Sequence, residues 1–369
     1  MMRSRVTKFA ITLAAVIMLA AVIAPIKAPG FAQNTSTTTS NSTSSRTNTN
    51  TLKTLRIGYF QNINHAQAVI GLGNGDFQKA LGKNVSVQTF VFNAGPSAIE
   101  SLLAKKLDVT YVGPNPAING YVVSGGKDLK IIAGASSGGA VFVVRNDSGI
   151  RSPKDFAGKK FASPQLGNTQ DIALRSYLLK NGYKTTENGG NVTVTPIANP
   201  DILTLFLKKQ LDGAWVPEPW GARLVKEANG KIFLDERSLW PDGKFVTANI
   251  IVRTEYLRSN PETIKKLLTL HINETLWINN HKNIAIQVFD TDLKKLTGKA
   301  IPGDELRQAF SRIDFTYDPI KESLFKSADY AYKLGFLAKG QKQQPDLSGI
   351  YDLTLLNKIL KENGWYEVY

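Results

Sequence analysis

Residues 98–122 read AIESLLAKKLDVTYVGPNPAINGYV, and residues 202–225 read ILTLFLKKQLDGAWVPEPWGARLV. Setting Asp108 on Asp212, an offset of 104 residues, brings Leu103 onto Leu207, Lys105 onto Lys209 and Leu107 onto Leu211. Val112 then meets Val216, and the aromatic Tyr111 meets Trp215. Self-similarity at a fixed offset marks a structural unit used more than once. The offset also holds upstream, where Pro96 meets Pro200, Gln61 meets Gln165 and Asn64 meets Asn168.

Each copy reads the same way. A short apolar strand (LRIGYF; KKFASP) ends in a polar turn before a helix, and a second strand (VSVQTFVF; VTVTPI) leads to a helix opened by proline. Ile99, Leu102, Leu103 and Leu107 give that helix the apolar stripe of a core-facing surface. A Leu-Asp link then feeds a third strand. This alternation predicts two parallel α/β lobes, with ligand chemistry at the carboxyl ends of the strands. Residues 129–147, LKIIAGASSGGAVFVVRND, read as the strand that leaves the first lobe, and residues 243–257, GKFVTANIIVRTEYL, as the one that returns. The expected division is lobe one at 54–144 plus 249–369 and lobe two at 145–248. Two crossing strands then form a hinge, with a ligand cleft between the lobes.

Composition narrows the function classes. The excess of 45 Lys+Arg over 30 Asp+Glu suits an anionic ligand or a solvated basic surface. The bases are scattered, without aromatic interleaving, so no nucleic-acid partner is expected. The chain has no cysteine, which excludes disulfides, thiolate nucleophiles and a lipid-modified cysteine anchor. Its three histidines, His65, His271 and His281, lack metal-binding spacing. Neither a metal nor a cofactor is expected. Arg3, Arg5 and Lys8 precede the apolar run FAITLAAVIMLAAVIAPI, so residues 1–32 read as a signal peptide or an uncut anchor. Residues 33–53 are rich in Asn, Ser and Thr and read as a disordered linker. Asn34, Asn41, Asn84, Asn146, Asn191 and Asn273 lie in N-x-[ST] sequons. An export signal followed by a stalk predicts a periplasmic or cell-surface protein.

Four stretches together resemble a known family: FNAGPSAIESLLAKKLDVTYVGPNPAINGY (92–121), SPQLGNTQDIALRSYL (163–178), LDGAWVPEPWGARLV (211–225) and LWPDGKFVTANIIVRTEYL (239–257). Over about residues 54–335 the chain resembles the extracytoplasmic substrate-binding proteins of ABC importers, in the group that binds aliphatic sulfonates, nitrate and taurine and shares its fold with thiamine-pyrimidine binders. The resemblance implies a two-lobed periplasmic-binding-protein-like fold of type II. It also implies a small anionic or zwitterionic solute, a membrane permease as partner, a monomer, and no catalytic step. An amino-pyrimidine or another small nitrogen compound is the alternative ligand. An enzyme on the same fold would have to draw on Ser97, His65 and Glu218.

The candidate ligand residues cluster at strand-to-helix turns. Gly95 and Ser97 flank Pro96 at a helix start, where free N–H groups and a hydroxyl suit an anionic oxygen; a self-capping Ser97 fits equally. Gln61, Asn64 and His65 occupy the first turn of lobe one, and Gln165, Asn168 and Thr169 the matching turn of lobe two. Helix capping alone accounts for Asn64 and Asn168 as well. Asn115 follows the tight Gly113-Pro114 turn, while Ser136 and Ser137 follow another strand. Glu218 would hold the cationic end of a zwitterion or an N–H donor, or else pair with Arg223 or a lysine of the other lobe. Trp215 belongs in the sheet core of its lobe, as its counterpart Tyr111 does in the other, and Trp220 is the candidate wall against an alkyl group.

Overall fold

A computed structural model describes residues 52–337 and 343–369. The expected signal or anchor (1–32) and residues 33–51 of the expected linker lie outside the described residues. Lys53, the last linker position, already opens the first strand. The first half runs β1 (Lys53–Phe60), α1 (Ala66–Gly73), α2 (Asp76–Leu81), β2 (Val85–Phe92), α3 (Gly95–Leu103), β3 (Val109–Val112), α4 (Pro114–Val123) and β4 (Leu129–Gly138). The second half runs β5 (Ala140–Arg145), β6 (Lys160–Ser163), α5 (Thr169–Lys180), β7 (Thr193–Pro196), α6 (Asn199–Leu207), β8 (Gly213–Pro217), α7 (Trp220–Glu227) and β9 (Gly230–Asp235). The chain returns through β10 (Val246–Arg253), α8 (Thr254–Ser259), α9 (Pro261–Asn280), α10 (Lys282–Thr297), α11 (Gly303–Phe310), β11 (Ile313–Phe315), α12 (Lys321–Lys333) and α13 (Thr354–Glu362).

The strands form two sheets, ordered β11-β4-β10-β3-β1-β2 and β7-β6-β8-β5-β9. In the first, β1 lies parallel to β2 and β3, while β10 runs antiparallel to both β3 and β4. In the second, β6 lies parallel to β7 and β8, while β5 runs antiparallel to both β8 and β9. The sheets are therefore mixed where the sequence predicts parallel ones. A strand arriving from the opposite lobe enters its new sheet from the far end, which reverses its direction.

The internal repeat is visible at atomic level. Asp108 Oδ2 accepts from the Arg56 amide at 3.0 Å, and Asp212 Oδ2 accepts from the Lys160 amide at 2.9 Å, both pairs keeping the sequence offset. Each aspartate is also met by an arginine at the end of a crossing strand, Arg253 for Asp108 and Arg145 for Asp212. Both copies end their helix on a left-handed lysine, Lys105 (φ 59) and Lys209 (φ 58). The shared Leu-Asp link thus ties the helix end to the first and the crossing strands of each sheet.

The outgoing strand changes sheets at Gly138–Gly139, ahead of the boundary expected at 144/145, since β5 already pairs in the second sheet. Both glycines have positive φ, and a Cβ on Gly139 would meet Ile313 at 2.3 Å. Only glycine takes that backbone in that space. The return passes through short 3-10 turns at Glu236–Leu239 and Pro241–Gly243 before β10, which begins ahead of the expected 248/249 boundary.

Trp215 is fully buried, stacked on Phe142 at 5.4 Å, and Tyr111 is equally buried beside His271. The terminal helices pack onto the first sheet, with Leu268, Ile272, Phe289 and Leu356 in one cluster with Ile57, Val109 and Ile250. Burying each such side chain contributes about 1.5–3 kcal/mol relative to exposure, so this packing holds the strand ends that build the cleft. Among the described residues no helix is long and apolar enough to cross a membrane.

Candidate functional site

Strands β1, β2, β3, β6 and β7 end facing the gap between the lobes, and each leads into the start of a helix there. Asn64 and His65 follow β1; Asn93 and Ala94 precede α3; Gly113 precedes α4. From the other lobe come Asn168, Thr169 and Gln170 at the start of α5 and Asn199 at the start of α6. They line a small pocket of about 20 Å³, bounded further by Phe60, Asn62, Pro217 and Thr247. None of these lining residues carries a charge. Negative charge on a ligand would therefore be met by unsatisfied N–H groups and positive dipole ends at helix N-termini, which favour anions without a lysine or arginine.

Four buried polar atoms on this lining have no partner: Asn64 Oδ1, His65 Nδ1, Thr169 Oγ1 and Asn199 Oδ1. Such groups are rarely left orphaned, and each costs about 1–3 kcal/mol when it is. The orientation of Asn64 follows from its neighbours. Its Nδ2 donates to Gly138 O at 3.0 Å and to Thr247 Oγ1 at 2.9 Å, leaving Oδ1 as the unpaired acceptor. Burial pushes the His65 imidazole down to about 3, so it is neutral at physiological pH. A neutral ring can give or take one hydrogen bond at an unpartnered nitrogen. The cavity therefore presents acceptors, a hydroxyl, a neutral imidazole and helix N-termini.

Of the thirteen residues expected to touch ligand, Asn64, His65, Asn168 and Thr169 meet on this cavity. Gly95 stands at the start of α3, where a Cβ would lie 2.3 Å from Pro116, so its small size lets α3 and α4 approach. Ser97 and Gln165 hydrogen-bond to each other across the gap, with Ser97 Oγ 3.3 Å from Gln165 Oε1. Gln61 donates to Leu296 O at 3.5 Å. Asn115 donates to Ser327 O at 3.3 Å. Ser136 contacts Thr247, and Ser137 Oγ accepts from the Phe245 amide, so both serines brace the crossing strands.

Glu218 departs most from expectation. It is fully buried off the cavity lining, with Oε1 2.8 Å from Arg312 and Oε2 accepting from the Ala222 amide at 2.9 Å. Its partner is neither Arg223 nor a lysine: Arg223 instead pairs with Glu227. Burial pushes the Glu218 carboxyl up, against the pull of Arg312 and the Ala222 amide. Trp220 also stands off the cavity, donating to Asn62 Oδ1 at 3.2 Å with the Arg223 guanidinium over its ring. Ser97, His65 and Glu218 make no hydrogen bonds to one another; Ser97 and Glu218 are bonded elsewhere and His65 Nδ1 to nothing.

Asn62, Asn93, Gln170, Asn199 and Thr247 line the same pocket and are not among the residues expected from the sequence. The repeat held a signal for one of them: Asn199 is the counterpart of Gly95, at the opening of a proline-started helix. Gln170 directly follows two residues already chosen in the same turn. Thr247 carried no local signal, because it reaches the cavity from the returning strand.

The geometry has known relatives. A Bacillus subtilis (strain 168) protein named for aliphatic sulfonate binding is 24% identical over 316 residues, covering 85% of this chain and 90% of its own. The alkanesulfonate-binding protein SsuA from Xanthomonas axonopodis pv. citri, solved bound to MOPS, superposes with a TM-score of 0.65 at 17% identity, covering 78% of this chain and 94% of that one. The periplasmic nitrate-binding protein NrtA from Synechocystis PCC 6803 gives a TM-score of 0.67 at 14% identity, covering 84% and 89%. The fold is thus the two-lobed fold of periplasmic binding proteins. The match to the NMT1-like family runs from residue 48 to residue 288, more than half of the sequence, and the chain belongs to that family.

Proposed function

We propose that this protein is the extracytoplasmic solute-binding component of an ABC importer and captures a small anionic or zwitterionic solute by closing its lobes. The observation that carries this reading is the set of four unpartnered polar atoms on one uncharged cavity ringed by helix N-termini. The N-termini suit a sulfonate, carboxylate or nitrate oxygen. Asn64 Oδ1, an acceptor fixed in place, asks the same ligand for a donor, which taurine's ammonium has and nitrate lacks. The names of the relatives, for aliphatic sulfonates, alkanesulfonates and nitrate, support this ligand class. An amino-pyrimidine or similar nitrogen compound is the second reading, favoured by the same acceptor and by the neutral His65.

In this reading the ligand first meets one lobe, the hinge at Gly138–Gly139 closes, and Thr169 and Asn199 complete the cage. The closed monomer then docks on a membrane permease. Residues 1–32 bring the folded part to the outer face of the membrane. The protein catalyses no reaction, and any ligand leaves unchanged. A thermal-shift screen of taurine, alkanesulfonates, nitrate, bicarbonate, phosphonates and aminopyrimidines tests the reading. A true ligand at a hundredfold excess over its Kd adds about 2.7 kcal/mol of stability. A flat melting point across the whole panel sinks the ligand assignment.

A further inference from the structure

A second cavity, of about 200 Å³, opens along the seam between α5 of the second lobe and α12 of the first. Its floor is the returning crossover. There Trp240 stacks on Phe245, ring centroids 5.2 Å apart and planes within 5°, and Tyr330 stands edge-on to it at 6.2 Å. The side chain of Glu236 is spent on this floor, its two oxygens accepting from the indole N–H groups of Trp215 (2.7 Å) and Trp240 (3.3 Å). It therefore does not present a free carboxylate to a cation. On the α5 wall the Ser176 hydroxyl is buried without a partner. Lys180 from one lobe and Lys333 from the other also line the cavity. Lys333 pairs with Asp329 at 2.6 Å, whereas Lys180 makes no ion pair among the described residues. Lys326 adds further positive charge over the Trp240 ring at 5.2 Å.

A flat aromatic bed, an unanswered hydroxyl and an unneutralised lysine match one class of molecule. We propose that this seam is a second ligand site for a flat aromatic anion, its ring packed against the Trp240 and Tyr330 side chains that line the cavity and its acid group meeting Lys180 and Ser176. The site is distinct from the cleft cavity, which it adjoins through Thr169. Because its walls belong to opposite lobes, an occupant holds the lobes together. Its binding is therefore coupled positively to that of any cleft ligand, and the coupling is reciprocal.

The probe is 2-naphthalenesulfonate, titrated into the full-length protein while tryptophan fluorescence is followed. Saturable quenching is expected, and Trp240→Phe should remove most of the quench while keeping the affinity. Trp240→Ala should weaken binding about tenfold through lost stacking and burial. Lys180→Glu, at an exposed position that leaves the fold intact, should weaken the sulfonate about threefold or more and spare neutral 2-naphthol. Asn199→Ala in the cleft should leave the affinity for the probe unchanged, which keeps this site's outcome separate from that of the cleft. Non-saturable quenching, equal affinity in Trp240→Ala and Lys180→Glu, or competitive displacement of the probe by taurine would each overturn the proposal. Failure of taurine to bind at all would count against the cleft reading alone.

Discussion

Arg312 Nη1 stands 2.8 Å from Glu218 Oε1, and this pair fastens one lobe to the other. Glu218 follows β8 in the second lobe, and Arg312 lies between α11 and β11 in the first. The backbone at the same place is tied as well, with the Ile63 amide donating to Glu218 O at 3.0 Å. Removing one member of a buried pair leaves the other charge uncompensated, at a cost of about 3–5 kcal/mol when both are deeply buried. Arg312 retains some exposure, so Arg312→Ala should cost about 2–3 kcal/mol in urea unfolding and should also weaken cleft ligands. Glu218→Gln should weaken taurine and methanesulfonate by the same factor. A loss confined to taurine would return Glu218 to the ligand site.

Gly113 tests closure by sterics alone. Its φ of −68° suits alanine, so the backbone objects to nothing. A Cβ there would sit 2.2 Å from Thr169 Oγ1 and 3.4 Å from Thr247 O, in the path of the approaching lobe. Gly113→Ala should lower affinity for any cleft ligand by at least about tenfold while costing under about 1 kcal/mol of stability, because the open lobes can move apart to accommodate it. Calorimetric titration alongside a urea melt separates the two effects. Unchanged affinity would mean the lobes do not need to come this close.

The two pseudo-equivalent aspartates should differ in weight. Asp108 is 1% exposed and meets both Arg56 and Arg253, whereas Asp212 is 22% exposed and meets Arg145 at 3.5 Å. Asp108→Ala should destabilise by about 3–4 kcal/mol, through two arginines losing a buried partner. Asp212→Ala should cost about 1 kcal/mol, within the range of a long, partly exposed pair and one amide bond. Equal losses in urea unfolding would contradict the packing difference.

How much of this was legible in the sequence follows from what each residue depends on. The lobes could be read from the repeat, because Asp108 and Asp212 bind amides that lie at the same offset in their own lobe. That Asn64, His65, Asn168 and Thr169 share one pocket lining could be read, because a strand end followed by a helix start is a local pattern; their contact with a ligand is the proposal above. Glu218 could not, since its partner Arg312 is 94 residues away on the opposite lobe. Trp220 reads as a cleft wall from its neighbours in sequence, yet its indole donates to Asn62, 158 residues away in the chain. The sheet exchange was misplaced because Gly138 and Gly139 interrupt an apolar run that otherwise reads as one strand.

Glu236 gives a pH signature. Burial pushes its carboxyl up to about 7 from an ordinary value of 4.5. A raised acid binds its proton more tightly in the folded state, so its contribution is favourable at low pH. That contribution is lost as pH rises from about 4.5 through 7, by about 3 kcal/mol in all. His65 and His271, held down to about 3 and about 4, act in the opposite sense by losing stability as pH falls below 6.5. Subtracting the Glu236→Gln stability curve from that of the wild type, between pH 4 and 8, isolates the first effect. Parallel curves would show that Glu236 does not change its proton affinity on folding.

The ligand reading stands most directly on calorimetric titration of taurine into the wild type, Thr169→Val and Asn199→Ala. The cavity built from Asn64, His65, Thr169 and Asn199 predicts one site in the wild type and affinity about tenfold weaker in each variant, the cost of one buried hydrogen bond. Taurine binding that is indifferent to both substitutions would place the ligand elsewhere and contradict the account.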